Sequence, residues 1–271
     1  MSKKQRVPAT PYPGLEGLFD AHTHLYSHRD SDADLVARAA SAGVARMVTV
    51  GDDLAESREA LATARRFDNV WAACAVHPVR AGELDVAAQT ELAALAADPK
   101  CVAVGETGLD TYWITHEPET TAPLEVQEKA LRWHMDLALE VGKTLMIHNR
   151  EADAELLRVL DGYTGRVMLH CFSSPLDVAK EALERGWVLS FAGNVTFKRN
   201  EELREAARLA PAGQLLIETD APYMTPEPFR GQRNEPALIG HTWACVAEAR
   251  GVTVADLAVE LAETFNATFG L

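Results

Sequence analysis

The chain has 271 residues, of which 26 are Lys or Arg and 40 are Asp or Glu, so its formal net charge is −14. This negative charge is unfavourable for an extended electrostatic interface with duplex nucleic acid, but it leaves room for a small basic pocket that binds one strand end or one phosphate. No apolar run approaches the ~18 residues of a membrane-spanning helix. The basic start leads into prolines, not an apolar signal segment. The four cysteines lack CxxC spacing, so we expect free thiols and a cytoplasmic protein.

Strand and helix patterns alternate from residue 17 to the end of the chain. Residues 1–16 carry prolines and glycine without periodicity, and we interpret them as a tail that crosses the bottom of a single domain spanning 17–271. Short apolar runs predict strands at 17–22, 44–50, 70–76, 101–106, 144–148, 166–170, 187–191 and 214–218. Helical spacing predicts helices at 34–42, 54–66, 87–97, 123–141, 151–160, 176–184, 201–209, 233–250 and 254–265. A long loop is predicted at 107–121.

These alternating elements indicate an α/β fold. The strands are nearly continuous apolar runs, as expected for a parallel sheet that is buried on both faces. Eight cycles without a linker predict a single (β/α)₈ TIM barrel. A doubly wound open sheet is the alternative, but no GxGxxG loop follows the first strand.

Metal-competent side chains follow several of the predicted strands. His22 and His24 are two positions apart, and side chains with that spacing lie on the same face of a strand. Catalytic groups of a TIM barrel lie at the C-terminal ends of its strands. In this chain those ends supply His22, His24, Glu106, His148, His170 and Asp220. This combination of nitrogen and carboxylate ligands is typical of a two-metal hydrolytic centre, and Glu106 is the candidate for a carboxylate between two cations.

Further side chains near the strand ends are candidates for contacts with a substrate. They are His77, Trp113, Arg150, Tyr223 and Arg233. Arginines suit phosphate, and the two aromatic residues could stack on a base. The alternatives are a structural turn for the histidine, ordinary surface charge for the arginines, and packing of a lid for the aromatic residues.

Two residues next to the histidines have ambiguous roles. Asp20 either orients a ligand imidazole through a hydrogen bond or simply ends a buried strand. Cys171 follows His170 on a predicted strand, where successive side chains point to opposite faces. We therefore expect the Cys171 side chain to point away from the metal face and to pack.

The sequence motifs around the predicted ligands resemble those of the TatD family of metal-dependent deoxyribonucleases. The matching segments are DAHTHL at 20–25, GETGLD at 105–110, HNR at 148–150, HCFS at 170–173, ETDAPY at 218–223 and RGQRNEP at 230–236. The resemblance runs from about residue 18 to the C-terminus and keeps the order of every block. Two departures stand out: Val79 replaces a histidine common in the family, and Thr111 replaces an aromatic residue.

The resemblance implies a TIM-barrel hydrolase with two divalent ions, which could be magnesium, manganese or zinc. It places one ion at His22, His24 and Asp220, a second at His148 and His170, and Glu106 on both. It implies a 3′–5′ exonuclease that attacks single-stranded DNA ends with a metal-bound hydroxide, and Asp220 and Glu106 as the catalytic residues. No membrane and no obligate protein partner are expected.

Other functions remain open at the level of sequence. The same centre would suit another ester or amide hydrolysis, such as that of a D-aminoacyl-tRNA deacylase or a lactonase. A scaffold that has lost its chemistry is a third alternative, but all six ligand positions carry competent residues. The amidohydrolases with a carbamylated lysine are a poorer match, because the fourth strand leads to Glu106 and not to a lysine.

Overall fold

The computed structural model describes residues 8–27 and 29–271. The strands are β1 (Leu18–Thr23), β2 (Val44–Gly51), β3 (Val70–Cys74), β4 (Cys101–Asp110), β5 (Thr144–Arg150), β6 (Val167–Leu169), β7 (Val188–Phe191) and β8 (Leu215–Ile217). They form one parallel sheet in the order β1 to β8. This order and the intervening helices confirm the predicted (β/α)₈ barrel.

Helices cover the outside of the sheet. They are α1 (Asp32–Ser41), α2 (Leu54–Arg66), α3 (Val86–Ala96), α4 (Thr111–His116), α5 (Leu124–Val141), α6 (Asp153–Val159), α7 (Leu176–Glu184), α8 (Glu201–Leu209), α9 (Ile239–Arg250) and α10 (Val254–Phe269). Short 3-10 helices lie at Leu25–Ser27, Pro78–Glu83, Gly193–Thr196 and Pro236–Leu238. No helix within the described ranges is long and apolar enough to cross a membrane.

The barrel closes beyond the end of β8. Thr23 forms a parallel bridge with Ala221. The Asp220 N–H donates to the His22 carbonyl at 2.9 Å, and the His24 N–H donates to the Ala221 carbonyl at 2.8 Å. The segment after β8 therefore acts as the last strand and brings Asp220 beside the two histidines of β1.

The predicted loop at 107–121 is partly wrong. β4 continues to Asp110, and the six-residue helix α4 follows directly. Asp110 caps that helix by accepting the Trp113 N–H at 2.8 Å. A single capped turn is too short to show an apolar period, so the sequence pattern contains no signal for it.

The predicted tail packs at the N-terminal end of the barrel, as far as the structure describes it. A side chain at Gly43, just before β2, would collide with the Leu15 carbonyl, and Tyr12 contacts His241 of α9. Residues 1–7 of that tail, and His28, lie outside the described residues.

Candidate metal centre

The six predicted ligands meet at the C-terminal end of the barrel. They are His22, His24, Glu106, His148, His170 and Asp220. Five of them are at most 7% exposed, and the side chain of His148 is 18% exposed. A cavity of about 640 Å³ opens above them.

An irregularity in β4 positions Glu106. The pairing of β4 with β5 shifts between Val104 and Thr107, so Glu106 lies in a bulge. Glycines on both sides permit the close approach of the two strands: a Cβ at Gly105 would lie 2.4 Å from the Met146 Cβ. The glycines of the GETGLD segment therefore serve the geometry of the carboxylate.

The first group of ligand atoms surrounds Glu106 Oε1. The Nε2 atoms of His22 and His24 are 3.0 Å apart, and each lies 3.5 Å from Glu106 Oε1. Asp220 Oδ1 lies 3.8 Å from His22 Nε2 and 3.6 Å from His24 Nε2. Four side chains thus direct one nitrogen or oxygen each toward a common point.

The second group surrounds the other oxygen of the same carboxylate. Glu106 Oε2 lies 2.6 Å from His170 Nε2 and 3.2 Å from His148 Nδ1. These two ring nitrogens are 3.4 Å apart. Glu106 Oε2 nevertheless has no hydrogen-bond partner among the described residues.

The donor set fits divalent cations. Imidazole nitrogens and carboxylate oxygens converge at 2.6–3.8 Å in a buried site, where electron pairs without a cation or proton between them repel one another. Among the described residues, three groups of His, Cys, Asp or Glu side chains have ligand atoms that all lie within 4.8 Å of one another. They are His22–His24–Glu106, His22–His170–Glu218 and His77–Glu106–His148. Each set contains members of the cluster above.

The buried carboxylates of the cluster favour the binding of positive charge, either as protons or as cations. Burial opposes ionisation of Glu106, but His170 and His148 outweigh it and hold the pKa of that carboxyl well below its usual range. Burial likewise opposes protonation of His24, yet Asp52 and Asp220 raise its pKa to about 10. Burial opposes protonation of His170 as well, but Glu106 and Glu218 raise its pKa well above the usual value. We therefore expect protons and metal ions to compete for this centre, so that metal affinity should increase with pH.

Outer hydrogen bonds orient two of the candidate ring ligands. His148 Nε2 lies 3.0 Å from Asp110 Oδ2, and His170 Nδ1 lies 3.2 Å from Glu218 Oε1. Both carboxylates are completely buried. Sequence reasoning left them without a role, although both belong to the segments quoted above.

Asp20 supports the backbone and not an imidazole. Its carboxylate accepts the Thr219 N–H at 2.9 Å, the Thr219 hydroxyl at 2.6 Å and the His22 N–H at 3.3 Å. This carboxylate ties the segment after β8 to β1.

Four of the five predicted substrate-contact residues line the cavity. These are His77, Trp113, Arg150 and Tyr223. The Arg150 guanidinium lies over the Tyr112 ring, 3.7 Å from its centroid, and 5.3 Å from that of Trp113. Tyr223 is 56% exposed at the opposite edge. Arg233 is not among the lining residues and donates to the Ser27 carbonyl.

The cavity also contains residues that sequence reasoning missed or misplaced. Asp52 lines it, with Oδ1 3.6 Å from His24 Nδ1, and Arg80 lines it while paired with Asp53. Asp52 directly follows Gly51 at the end of β2, so the strand-end rule could have found it. Cys171 lines the cavity as well, contrary to expectation. β6 ends at Leu169 and Cys171 has φ +43°, so strand alternation does not apply there.

A parallel barrel with buried histidines and carboxylates at the C-terminal strand ends defines a metal-dependent hydrolase of the TIM-barrel class. The family model described as TatD related DNase matches residues 19–270. The chain belongs to the TatD family.

Similarity to individual proteins agrees with this assignment. The chain is 46% identical over 260 residues to the uncharacterized metal-dependent hydrolase TatD of Mycobacterium tuberculosis, covering 94% of this chain and 98% of the relative. It is 36% identical over 244 residues to the 3′-5′ ssDNA/RNA exonuclease TatD of Cronobacter sakazakii, covering 86% and 90%. The crystal structure of YjjV, a TatD homologue from Escherichia coli K12, superposes with a TM-score of 0.85 at 26% identity, covering 94% and 98% of the two chains.

Proposed function

We propose that this protein is a phosphodiesterase that removes nucleotides from the 3′ end of single-stranded DNA with two divalent cations. The observation that carries the proposal is that the two carboxylate oxygens of Glu106 face two different pairs of histidines. Its Oε1 faces His22 and His24, and its Oε2 faces His148 and His170. A carboxylate placed in this way can bridge two cations and reduce their mutual repulsion.

Each cation would have its own set of ligands. His22, His24 and Asp220 would hold the first ion, and His148 and His170 the second, with Glu106 on both. Bound ions of this kind polarise a phosphoryl oxygen and lower the pKa of a coordinated water. The identity of the ions follows from the ligands only as a preference for zinc, manganese or magnesium.

Asp220 is the proposed general base. Its carboxylate lines the cavity and is 7% exposed. Burial opposes its ionisation, but His24, His170 and His22 hold its pKa below the usual value, so it is a carboxylate at neutral pH. It can therefore accept the proton of the attacking water as the new P–O bond forms and the bond from phosphorus to the 3′ oxygen breaks.

The rim of the cavity suits a single-stranded end. Arg150 supplies positive charge in a chain of net charge −14, and Trp113 and Tyr223 offer ring faces on which bases can stack. A cavity of about 640 Å³ has the size of a small-ligand site and accepts a chain end, not the side of a duplex. The name of the Cronobacter relative points to the same substrate class.

The test is an assay of purified protein on a 5′-labelled single-stranded oligonucleotide, the matching duplex and a D-aminoacyl-tRNA. We expect progressive shortening of the single strand from its 3′ end and slower attack on the duplex. An Asp220→Asn protein, purified identically, controls for contaminating nucleases. Release of a D-amino acid without cleavage of DNA would replace the proposal with the deacylase.

A further inference from the structure

Four histidines line the cavity and the buried His22 adjoins them, and each of these five rings has one nitrogen in contact with a partner on its outer side. A neutral imidazole carries one proton, so an outer nitrogen that donates leaves a lone pair on the inner nitrogen. An outer nitrogen that accepts forces the proton onto the inner one. The outer partners therefore decide which rings can bind a cation.

Three rings donate outward through Nδ1. The partner atoms are a thioether sulfur, a carbonyl oxygen and a carboxylate oxygen, none of which carries a proton to give. The Tyr26 hydroxyl also lies 3.3 Å from His24 Nδ1, but it donates its proton to Glu56 Oε2 at 2.7 Å. The contacts are His22 to Met146 Sδ at 3.2 Å, His24 to the Val50 carbonyl at 3.1 Å, and His170 to Glu218 Oε1 at 3.2 Å. In the neutral form, which is the form that binds a cation, all three rings present Nε2 lone pairs to the centre; the raised pKa values of His24 and His170 mean that a cation must displace a second proton there.

His148 also presents a lone pair to the centre, but its ring is turned so that Nε2 faces outward and Nδ1 faces inward. Its Nε2 donates outward to Asp110 Oδ2 at 3.0 Å, which leaves the Nδ1 lone pair 3.2 Å from Glu106 Oε2. Asp110 also accepts the Trp113 N–H, as a carboxylate does.

His77 differs from the other four. Its Nδ1 accepts the Val79 N–H at 3.2 Å, so Nδ1 carries no proton. The local sequence explains the contact: Pro78 has no N–H, so Val79 offers the first free donor of the 3-10 turn that His77 caps. The neutral ring then carries its proton on Nε2, which lies 3.9 Å from Glu106 Oε2. An N–H group at that position cannot ligate a cation.

We propose that His77 is a proton-bearing hydrogen-bond donor to a non-bridging phosphoryl oxygen of the substrate, and not a metal ligand, although it lies close to Glu106 and His148. The inference rests on the proposed phosphodiesterase. An N–H group at the wall of a buried site stabilises the charge that spreads over phosphoryl oxygens during in-line displacement. His77 keeps its proton throughout, and the proton of the attacking water goes to Asp220.

Two substitutions separate the donor from a ligand. His77→Phe keeps a ring of similar size but removes both nitrogens, and His77→Gln places an amide N–H near the original Nε2. After loading with zinc or manganese, elemental analysis of both variants should give the wild-type number of ions per chain. His148→Phe is the matched control and should lose metal. Loss of one ion in either His77 variant would overturn the proposal.

Kinetic measurements on the two variants should also distinguish a hydrogen-bond donor from a residue without a role in the reaction. We expect kcat for single-stranded DNA to fall about 10²–10³-fold in His77→Phe, the scale for removing one oxyanion donor, and to recover largely in His77→Gln. An unchanged kcat in a folded His77→Phe protein, with melting curves as the control for folding, would also overturn the proposal.

A measurement on the wild-type protein needs no activity. Long-range ¹H–¹⁵N correlation spectra of the imidazoles should show His77 with its proton on Nε2, both without metal and after zinc is added. A proton on Nδ1 would refute the assignment. If the protein cleaves an ester other than DNA, the tautomer and the metal count still test His77, whereas the oligonucleotide assay alone tests the proposed function.

Discussion

At the scale of single residues, Asp220 is the proposed general base and has an unusual backbone conformation. Its φ of +52° lies in the left-handed region, which Asn tolerates as well as Asp, and its N–H bonds to the His22 carbonyl. Asp220→Asn should therefore keep the fold and part of the metal. It should lose at least about 10²-fold in kcat, because an amide cannot take the proton of water.

Steady-state kinetics and a melting curve on the same preparation test this prediction. A folded variant with near wild-type kcat would show that Asp220 only shapes the segment after β8. A large fall in the melting temperature with kcat preserved would lead to the same conclusion.

His134 is a buried histidine outside the metal cluster, and it predicts a pH dependence of stability. Its Nε2 accepts the Val76 N–H at 3.2 Å, and its Nδ1 lies 2.8 Å from the Ala130 carbonyl, so the ring is held neutral. Burial lowers its pKa from 6.5 to about 4. Between these values the unfolded chain binds a proton that the folded chain excludes, so stability is complete above pH 6.5 and is lost as the pH falls toward 4.

Chemical denaturation at pH 7 and pH 5 measures this contribution. His134→Gln keeps an acceptor for the Val76 N–H but does not titrate. The free energy of unfolding of the wild type should fall by about 2 kcal/mol more than that of the variant between the two pH values. Equal losses would mean that the folded protein admits the proton.

At the scale of elements, one carboxylate joins β4, α4 and β5. Asp110 Oδ1 caps α4, while Oδ2 lies 3.0 Å from His148 Nε2. Asp110→Asn can keep the cap, but its side-chain N–H₂ cannot accept the proton of His148. Since such outer partners orient metal-ligating histidines, metal affinity should fall about 10- to 100-fold.

Metal titration of the folded protein checks the role of Asp110. Asp85→Asn is the matched control, because Asp85 is exposed and caps α3 by accepting the Ala88 N–H at 2.8 Å without touching the cavity. An equal metal affinity in the Asp110 and Asp85 variants would mean that Asp110 caps the helix without supporting the metal centre.

The junction of α4 with β5 also carries the proposed contact for the substrate. Arg150 follows His148 by two residues on β5 and lies over the Tyr112 ring of α4. Arg150→Met should raise KM and lower kcat/KM about 10- to 100-fold, the worth of a charge-assisted hydrogen bond. Arg233→Met should have a smaller effect, because Arg233 does not line the cavity. Equal effects of both variants on kcat/KM would contradict this division.

At the scale of the whole molecule, the proposed ions should stabilise the barrel without being required for folding. The hydrophobic core is formed by the strands and helices themselves, and the ligands lie only at one end. At a hundredfold excess over Kd, one ion contributes about 2.7 kcal/mol. Loss of one ion should lower Tm by about 5–10 °C, and removal of both by chelator should lower it by about 10–20 °C and abolish activity. Readdition of manganese or zinc should restore both, whereas full activity in metal-depleted protein would exclude the hydrolytic centre.

The agreement between pattern and structure is best where a helix buries one continuous face. The predicted ranges 54–66, 176–184 and 201–209 are confirmed without change, because each has an apolar stripe that must face the sheet. The last part of the chain agrees less well. The helix predicted at 233–250 begins only at Ile239, since Pro236 starts a separate 3-10 turn.

The architecture and the metal-competent set were readable from the chain alone. Parallel buried strands impose continuous apolar runs, and a closed barrel gathers the residue that follows each run at one end, so Glu106 and Asp220 could be grouped with four histidines before any coordinates were known. The partners of those histidines were not readable in this way. The contact between His148 and Asp110 spans 38 positions and depends on the register of β4 against β5, while the orientation of Cys171 depends on one left-handed residue after β6. Hydrogen bonds across a fold, and hence the nitrogen on which each ring carries its proton, are decided by distances of a few ångströms that no spacing along a sequence encodes.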